Sequence, residues 1–160
     1  MNQVEMNNMV KALEAMAQLE LIISELYRIC SVTWPDESEV WSAISRAEVQ
    51  HAGNIEKMIA LLKAKPDAFT VGRPISAVAV NTAIAGVKNN IEKLKKGELN
   101  RKQLLFILRD IERSLLESKY GGMVLTKEAG FNRLVNDIVQ QTEGHQKMLE
   151  KKIYAVQEVT

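Results

Sequence analysis

Residues 41–62, WSAISRAEVQHAGNIEKMIALL, decide the fold, and at their centre stands the tetrad Glu48-Val49-Gln50-His51. Read at helical periodicity, one seam collects Trp41, Ile44, Glu48, His51, Ile55, Met58 and Leu62. A carboxylate and an imidazole therefore occupy consecutive positions of an otherwise apolar stripe. A carboxylate buried alone costs several kcal/mol, so Glu48 calls for a proton, a basic partner or a cation.

The same interruption recurs on either side. Residues 4–30 form a periodic segment whose seam is Met6, Met9, Leu13, Met16, Glu20, Ile23, Tyr27 and Cys30, with Glu20 as its one carboxylate. Glu25 lies about 140° round the helix from Glu20 and faces water. Pro35 disfavours helix in the residue before it, and Asp36 or Ser38 is placed to cap the second helix, which continues to about Lys63. Pro66, Gly72 and Pro74 then break the pattern, as expected of a long crossover in a bundle.

Ser76 is a plausible N-cap for a helix to about Lys96 with the stripe Ala77, Val80, Ile84, Val87, Ile91 and Leu94, which no ionisable residue interrupts. That helix reads as packing within the crossover. After Gly97, Asn100 caps a further helix to about Tyr120, stopped by Gly121 and Gly122, whose seam Leu105, Leu108, Glu112 and Leu115 carries a third inward carboxylate. The last helix spans residues 131–156 with the seam Val135, Ile138, Thr142, His145 and Leu149, and Gln141 beside it.

The chain thus reads as two similar halves. Glu20 followed by Glu48-x-x-His51 parallels Glu112 followed by Thr142-x-x-His145, and residues 20–25 align with 112–117 without a gap, which suggests an internal duplication. Residues i and i+3 share a helix face, so Glu48 and His51 can hold one ion or neighbouring ions. Four helices that each aim one or two such groups at one level make a metal cage.

On these residues the sequence resembles the ferritin-like superfamily, rubrerythrin-like proteins in particular. The family pattern of Glu, Glu-x-x-His, Glu, Glu-x-x-His over four helices reads here as Glu20, Glu48-Val-Gln-His51, Glu112 and Thr142-Glu-Gly-His145. The resemblance spans nearly the whole chain. It implies an all-α fold: a ferritin-like four-helix bundle with a long crossover carrying an additional helix, residues 1–160 forming one domain. It also implies a di-iron site, or one with manganese or a single ion, in which Glu20 and His51 would bind one iron, Glu112 and His145 the other, and Glu48 would bridge them. Tyr27, seven residues after Glu20 as in many rubrerythrins, becomes a candidate catalytic residue, with core packing as its alternative. The activity implied is that of a di-iron peroxidase or ferroxidase-type oxidoreductase.

Three departures from the family pattern matter. Thr142 stands where the fourth-helix bridging glutamate belongs and offers only a neutral hydroxyl. It reads as packing, or as a hydrogen-bond donor to His145 or Glu48, while Gln141 is placed to supply a weak oxygen ligand. The chain has a single cysteine, Cys30, so no rubredoxin-type module and no internal disulfide are present, and an external electron donor is implied. The extra crossover helix alters how subunits pack. The competing reading is a metal-free or single-metal relative acting as a binding or structural module, in which the carboxylates lie at a bundle end or bond Arg or Tyr.

Composition excludes other classes. With 46% hydrophobic residues, 26% charged and a formal charge of +1, the chain fits one soluble domain without a nucleic-acid or anionic-membrane footprint. The basic stretch 88–102 also contains Glu92 and Glu98 and reads as a solvated helix surface. The first ten residues lack a signal-peptide pattern and no apolar run reaches the ~18 residues of a membrane span, so a cytoplasmic location is expected. Trp34 and Trp41 are expected to pack at the inter-helix turn. Met6, Met9 and Met16 are expected in the core or at the contact of a homo-oligomer, a dimer most simply.

Overall fold

Five α-helices form among the residues that the computed structural model describes, 1–117, 120 and 122–159: α1 (Gln3–Thr33), α2 (Ser38–Ala64), α3 (Ala77–Lys95), α4 (Arg101–Glu117) and α5 (Ala129–Val159). The chain is mostly helical, as its periodicity dictates. Helix α1 begins at Gln3 because Asn2 and Glu5 form a capping box: Glu5 N–H donates to Asn2 Oδ1 and Asn2 N–H to Glu5 Oε2, both at 2.8 Å. It ends at Thr33, ahead of the Trp34-Pro35 step.

Neither Asp36 nor Ser38 caps α2. Residues Pro35–Glu37 form a 3₁₀ turn that leads straight into the helix, and no side chain makes the capping bond. Ser76 does cap α3, accepting from Ala79 N–H at 3.4 Å. At the other end Gly97 takes φ 72°, and the bonds Gly97 N–H to Leu94 O and Glu98 N–H to Lys93 O close the last turn. Asn100 and Gln103 then cap α4 reciprocally, at 2.8 and 3.0 Å. Tyr120 is a turn residue and not the last of the helix, so the sequence expectation is corrected there; Gly121, read as the stop, lies outside the described residues.

Two short strands escape periodicity because three residues are too few to show it: β1 (Phe69–Val71) and β2 (Val124–Thr126), antiparallel with Phe69 opposite Thr126 and Val71 opposite Val124. They join the connection leaving α2 to the one entering α5. Phe69 packs edge-on against Phe131 of α5 at 5.1 Å, which fixes the pair to the core. A Cβ at Gly72, just past β1, would lie 2.3 Å from Gly122 O.

Helix α1 packs along α2 and α3, and α5 packs along α4 and α2. The crossover helix α3 therefore lies outside the four helices whose seams carry inward polar groups. Those seams are buried, and so are Trp41 and Tyr27, whose rings stack at 6.1 Å within the core and not merely at the turn. Cys30 is buried as well. No helix among the described residues is long and apolar enough to cross a membrane.

Candidate metal centre

Helix α1 supplies Glu20, α2 supplies Glu48 and His51, α4 supplies Glu112 and α5 supplies His145, each from the seam position where an apolar residue would otherwise stand. Glu20, Glu48, His51 and Glu112 have no exposure at all, and the His145 side chain is 14% exposed. Their donor atoms fall into two groups, Glu20–Glu48–His51 and Glu48–Glu112–His145, in each of which the atoms lie within 4.8 Å of one another. Glu48 belongs to both. Its Oε2 lies 3.1 Å from His51 Nδ1 and its Oε1 lies 2.9 Å from His145 Nδ1. The outer carboxylates stand slightly further off, Glu20 Oε2 at 3.8 Å from His51 Nδ1 and Glu112 Oε1 at 3.7 Å from His145 Nδ1.

Hydrogen bonding leaves a consistent remainder. Tyr27 Oη donates to Glu112 Oε1 at 2.5 Å, and Tyr120 Oη donates to Glu20 Oε1 at 2.6 Å. The bond to tyrosine that the sequence allowed as an alternative fate for these carboxylates thus exists, but it serves one oxygen of each. Glu20 Oε2, Glu48 Oε1, Glu112 Oε2 and His145 Nδ1 are buried without a hydrogen-bond partner. The 2.9 Å approach of His145 Nδ1 to Glu48 Oε1 is contact without hydrogen-bond alignment. Buried polar atoms are rarely left unpaired, because each costs about 1–3 kcal/mol. Four of them, spread over two donor groups that share Glu48, fit cations: donors bonded to one ion at about 2.0–2.2 Å stand roughly 3.0–3.5 Å apart.

The second ring nitrogen of His51 fixes its orientation. His51 Nε2 lies 2.7 Å from Gln141 Oε1. An amide oxygen only accepts, so Nε2 carries the proton and Nδ1 faces the site, the outer arrangement typical of metal-bound imidazole. Gln141 is therefore the partner of His51 and does not point a free oxygen into the site as the sequence suggested. Thr142 is buried, but its hydroxyl donates to Ile138 O at 2.8 Å within its own helix, not to His145 or Glu48.

Burial and crowding set the charges. Burial pushes Glu20 up to about 8, reinforced by Glu48 and offset in part by His51. Burial and the Glu48 charge likewise hold Glu112 well above the carboxylate range. On Glu48 burial pushes upward too, but pairing with Glu20, His145 and His51 outweighs it and keeps the group ionised far below the usual value. His51 is pulled down by burial and more strongly up by Glu20 and Glu48, reaching about 10. Burial and the neighbouring carboxylates raise both tyrosines well above their ordinary value, so Tyr27 and Tyr120 stay protonated donors. Glu48 is thus the shared anion, with protons held around it.

Every site residue expected from the sequence lies in this cluster, including Tyr27 at its edge. Tyr120 was not expected, because it follows the last turn of α4 and sits on no helical seam; a second tyrosine eight residues after Glu112, echoing Tyr27 after Glu20, was its only trace. Compared with known proteins, the chain matches no family model, no curated protein and no solved structure.

Proposed function

We propose that the chain is a ferritin-like protein of the rubrerythrin type whose five-residue cage, Glu20, Glu48, His51, Glu112 and His145, holds divalent metal, iron foremost, and reduces peroxide or oxygen. What carries this reading is the set of four unpartnered buried donor atoms, one from each of Glu20, Glu48, Glu112 and His145, gathered around the shared Glu48 carboxylate. Carboxylate and imidazole donors suit iron or manganese. Bound iron would supply the two electrons that, with two protons, reduce hydrogen peroxide to water.

The protein's own contribution is positioning and protons. Glu48, with one oxygen toward each histidine, is the residue that would be shared by two bound ions. Tyr27 and Tyr120 hold the outer carboxylates by one oxygen each; on Glu20 the other oxygen faces His51, whereas on Glu112 the tyrosine-bonded oxygen is itself the one toward His145. Tyr27, with its hydroxyl at 2.5 Å from a metal-facing carboxylate, is the group nearest to hand for delivering a proton, and this is the catalytic role assigned to it. Residues 1–160 hold a single cysteine and cannot build a rubredoxin-type centre, so electrons would return from a donor outside this domain.

The test is elemental analysis of protein purified without added metal or chelator, then anaerobic Fe(II) titration and brief exposure to peroxide. Stoichiometric iron and an oxo-bridge absorption band on oxidation are expected. The competing reading, a metal-free structural bundle, draws on the two Tyr–Glu hydrogen bonds, which already satisfy half of each outer carboxylate. Protein that neither contains metal nor binds Fe(II) would establish it in place of ours.

A further inference from the structure

On the reading that the cage binds metal, we propose that its two halves are unequal: Glu20–Glu48–His51 holds a resident divalent ion, whereas Glu48–Glu112–His145 is an exchange position on the solvent-reached side, at His145. Three observations separate the halves. First, His51 is fixed at both nitrogens, with Nε2 bonded to Gln141 Oε1 at 2.7 Å, so its Nδ1 is preorganised for a ligand. His145 makes no hydrogen bond among the described residues, and its Nδ1 is unpartnered. Its ring lies against Glu48 Oε1 at 2.9 Å, but no acceptor among the described residues fixes its outer nitrogen as Gln141 fixes that of His51.

Second, the His145 side chain is 14% exposed, against at most 1% for the other four. Its chain neighbour is Gly144, around which a Cβ would find nothing within 4 Å, and Gln141 one turn away is exposed. The His145 ring stacks on that of His51 at 6.1 Å, so the more exposed of the two histidines covers the buried one. An ion arriving from solvent at this point meets His145 first. Third, Thr142 gives the exchange side no carboxylate and its hydroxyl is occupied by Ile138 O. Three carboxylates carry three negative charges, so one divalent ion leaves a net charge of −1 and a second leaves +1 in a dry core. The second ion is therefore the weakly held one.

Mn(II), which resists oxidation and reports by electron paramagnetic resonance, is the probe, titrated into the full-length metal-free protein. One ion should bind at least ten-fold more tightly than a second, and a chelator should strip the second in a separate, faster phase. His145→Ala should abolish the weak ion and spare the tight one. His51→Ala should remove the tight one, and Gln141→Ala, at an exposed position, should weaken it about ten-fold or more with helicity by circular dichroism unchanged. Thr142→Glu should tighten the second ion.

Two Mn(II) ions of equal affinity, or equal losses in the two histidine variants, would overturn the inequality and leave the metal reading intact. No Mn(II) binding in the parent protein would overturn both.

Discussion

The α1–α2 half of the molecule brings Glu20, Glu48 and His51 to the centre, and the α4–α5 half brings Glu112, Thr142 and His145, so at the middle position one half has a buried carboxylate and the other a buried hydroxyl. The two positions solve burial differently. Thr142 satisfies itself on its own backbone, whereas Glu48 draws both histidines toward it and becomes the anion that the cluster is built on. The tyrosines cross between the halves, Tyr27 serving Glu112 and Tyr120 serving Glu20. Loss of one carboxylate therefore leaves the frame that orients the others in place.

The largest effect is expected at the position where the halves differ most. Glu48→Ala removes the anion shared by both donor groups and leaves His51 with only the more distant Glu20 carboxylate, at 3.8 Å, and breaking the closer buried pair costs about 3–5 kcal/mol. Metal retention should vanish by elemental analysis, with melting lowered by roughly 2–4 °C per kcal/mol. Retained metal would show that the outer carboxylates suffice and that the halves are independent.

Next comes pH. The folded-state value of Glu20, about 8, lies above its ordinary 4.5, and that of His51, about 10, lies above 6.5. A raised value stabilises the fold fully below the ordinary value and loses that contribution as pH rises through the folded one. The metal-free protein should therefore lose melting temperature between pH 6.5 and 10, with Glu20 contributing up to about 8, His51 up to about 10, and the raised Glu112 acting in the same direction. Metal competes with these same protons, so the stabilisation it confers should grow over that interval. Scanning calorimetry with and without Mn(II) checks both slopes, and parallel curves would detach the α1–α2 half from metal binding.

Smaller effects come from the crossed tyrosines. Tyr27→Phe and Tyr120→Phe each orphan one more buried carboxylate oxygen, at about 1–3 kcal/mol apiece. Similar falls in denaturation midpoint would mean that the frame is symmetric even though the ligands are not. The smallest effect belongs to Thr142→Val, which removes a hydroxyl bonded only to its own helix: under about 1 kcal/mol, with Mn(II) stoichiometry unchanged. A change in metal content there would make Thr142 a ligand.

Much of this arrangement was legible in the sequence because a carboxylate on an apolar seam has few explanations. Glu20, Glu48 and Glu112 each break a helical stripe, and each is fully buried in the fold. Helix ends written in local chemistry, such as Ser76 and the Asn100 cap, were legible for the same reason. What stayed hidden depends on which helix faces which. The hydrogen bond from His51 to Gln141 joins residues ninety apart in sequence, and that from Tyr120 to Glu20 joins residues one hundred apart. No periodicity encodes such pairings. The strand pair was hidden by its brevity, and the 3₁₀ turn before α2 because Asp36 and Ser38 are caps by type but not by geometry.

That strand pair bears on the order in which the chain folds. Without it, α2 and α5 would be joined by a long excursion through α3 and α4, and bringing them together would carry the loop-closure entropy of the whole segment. Pairing β1 with β2, pinned by Phe69 on Phe131, carries that closure cost once, at the strands. With the strands paired, the α2–α5 seam, with Glu48, His51, Gln141 and His145 on it, has only a few residues left to close on either side.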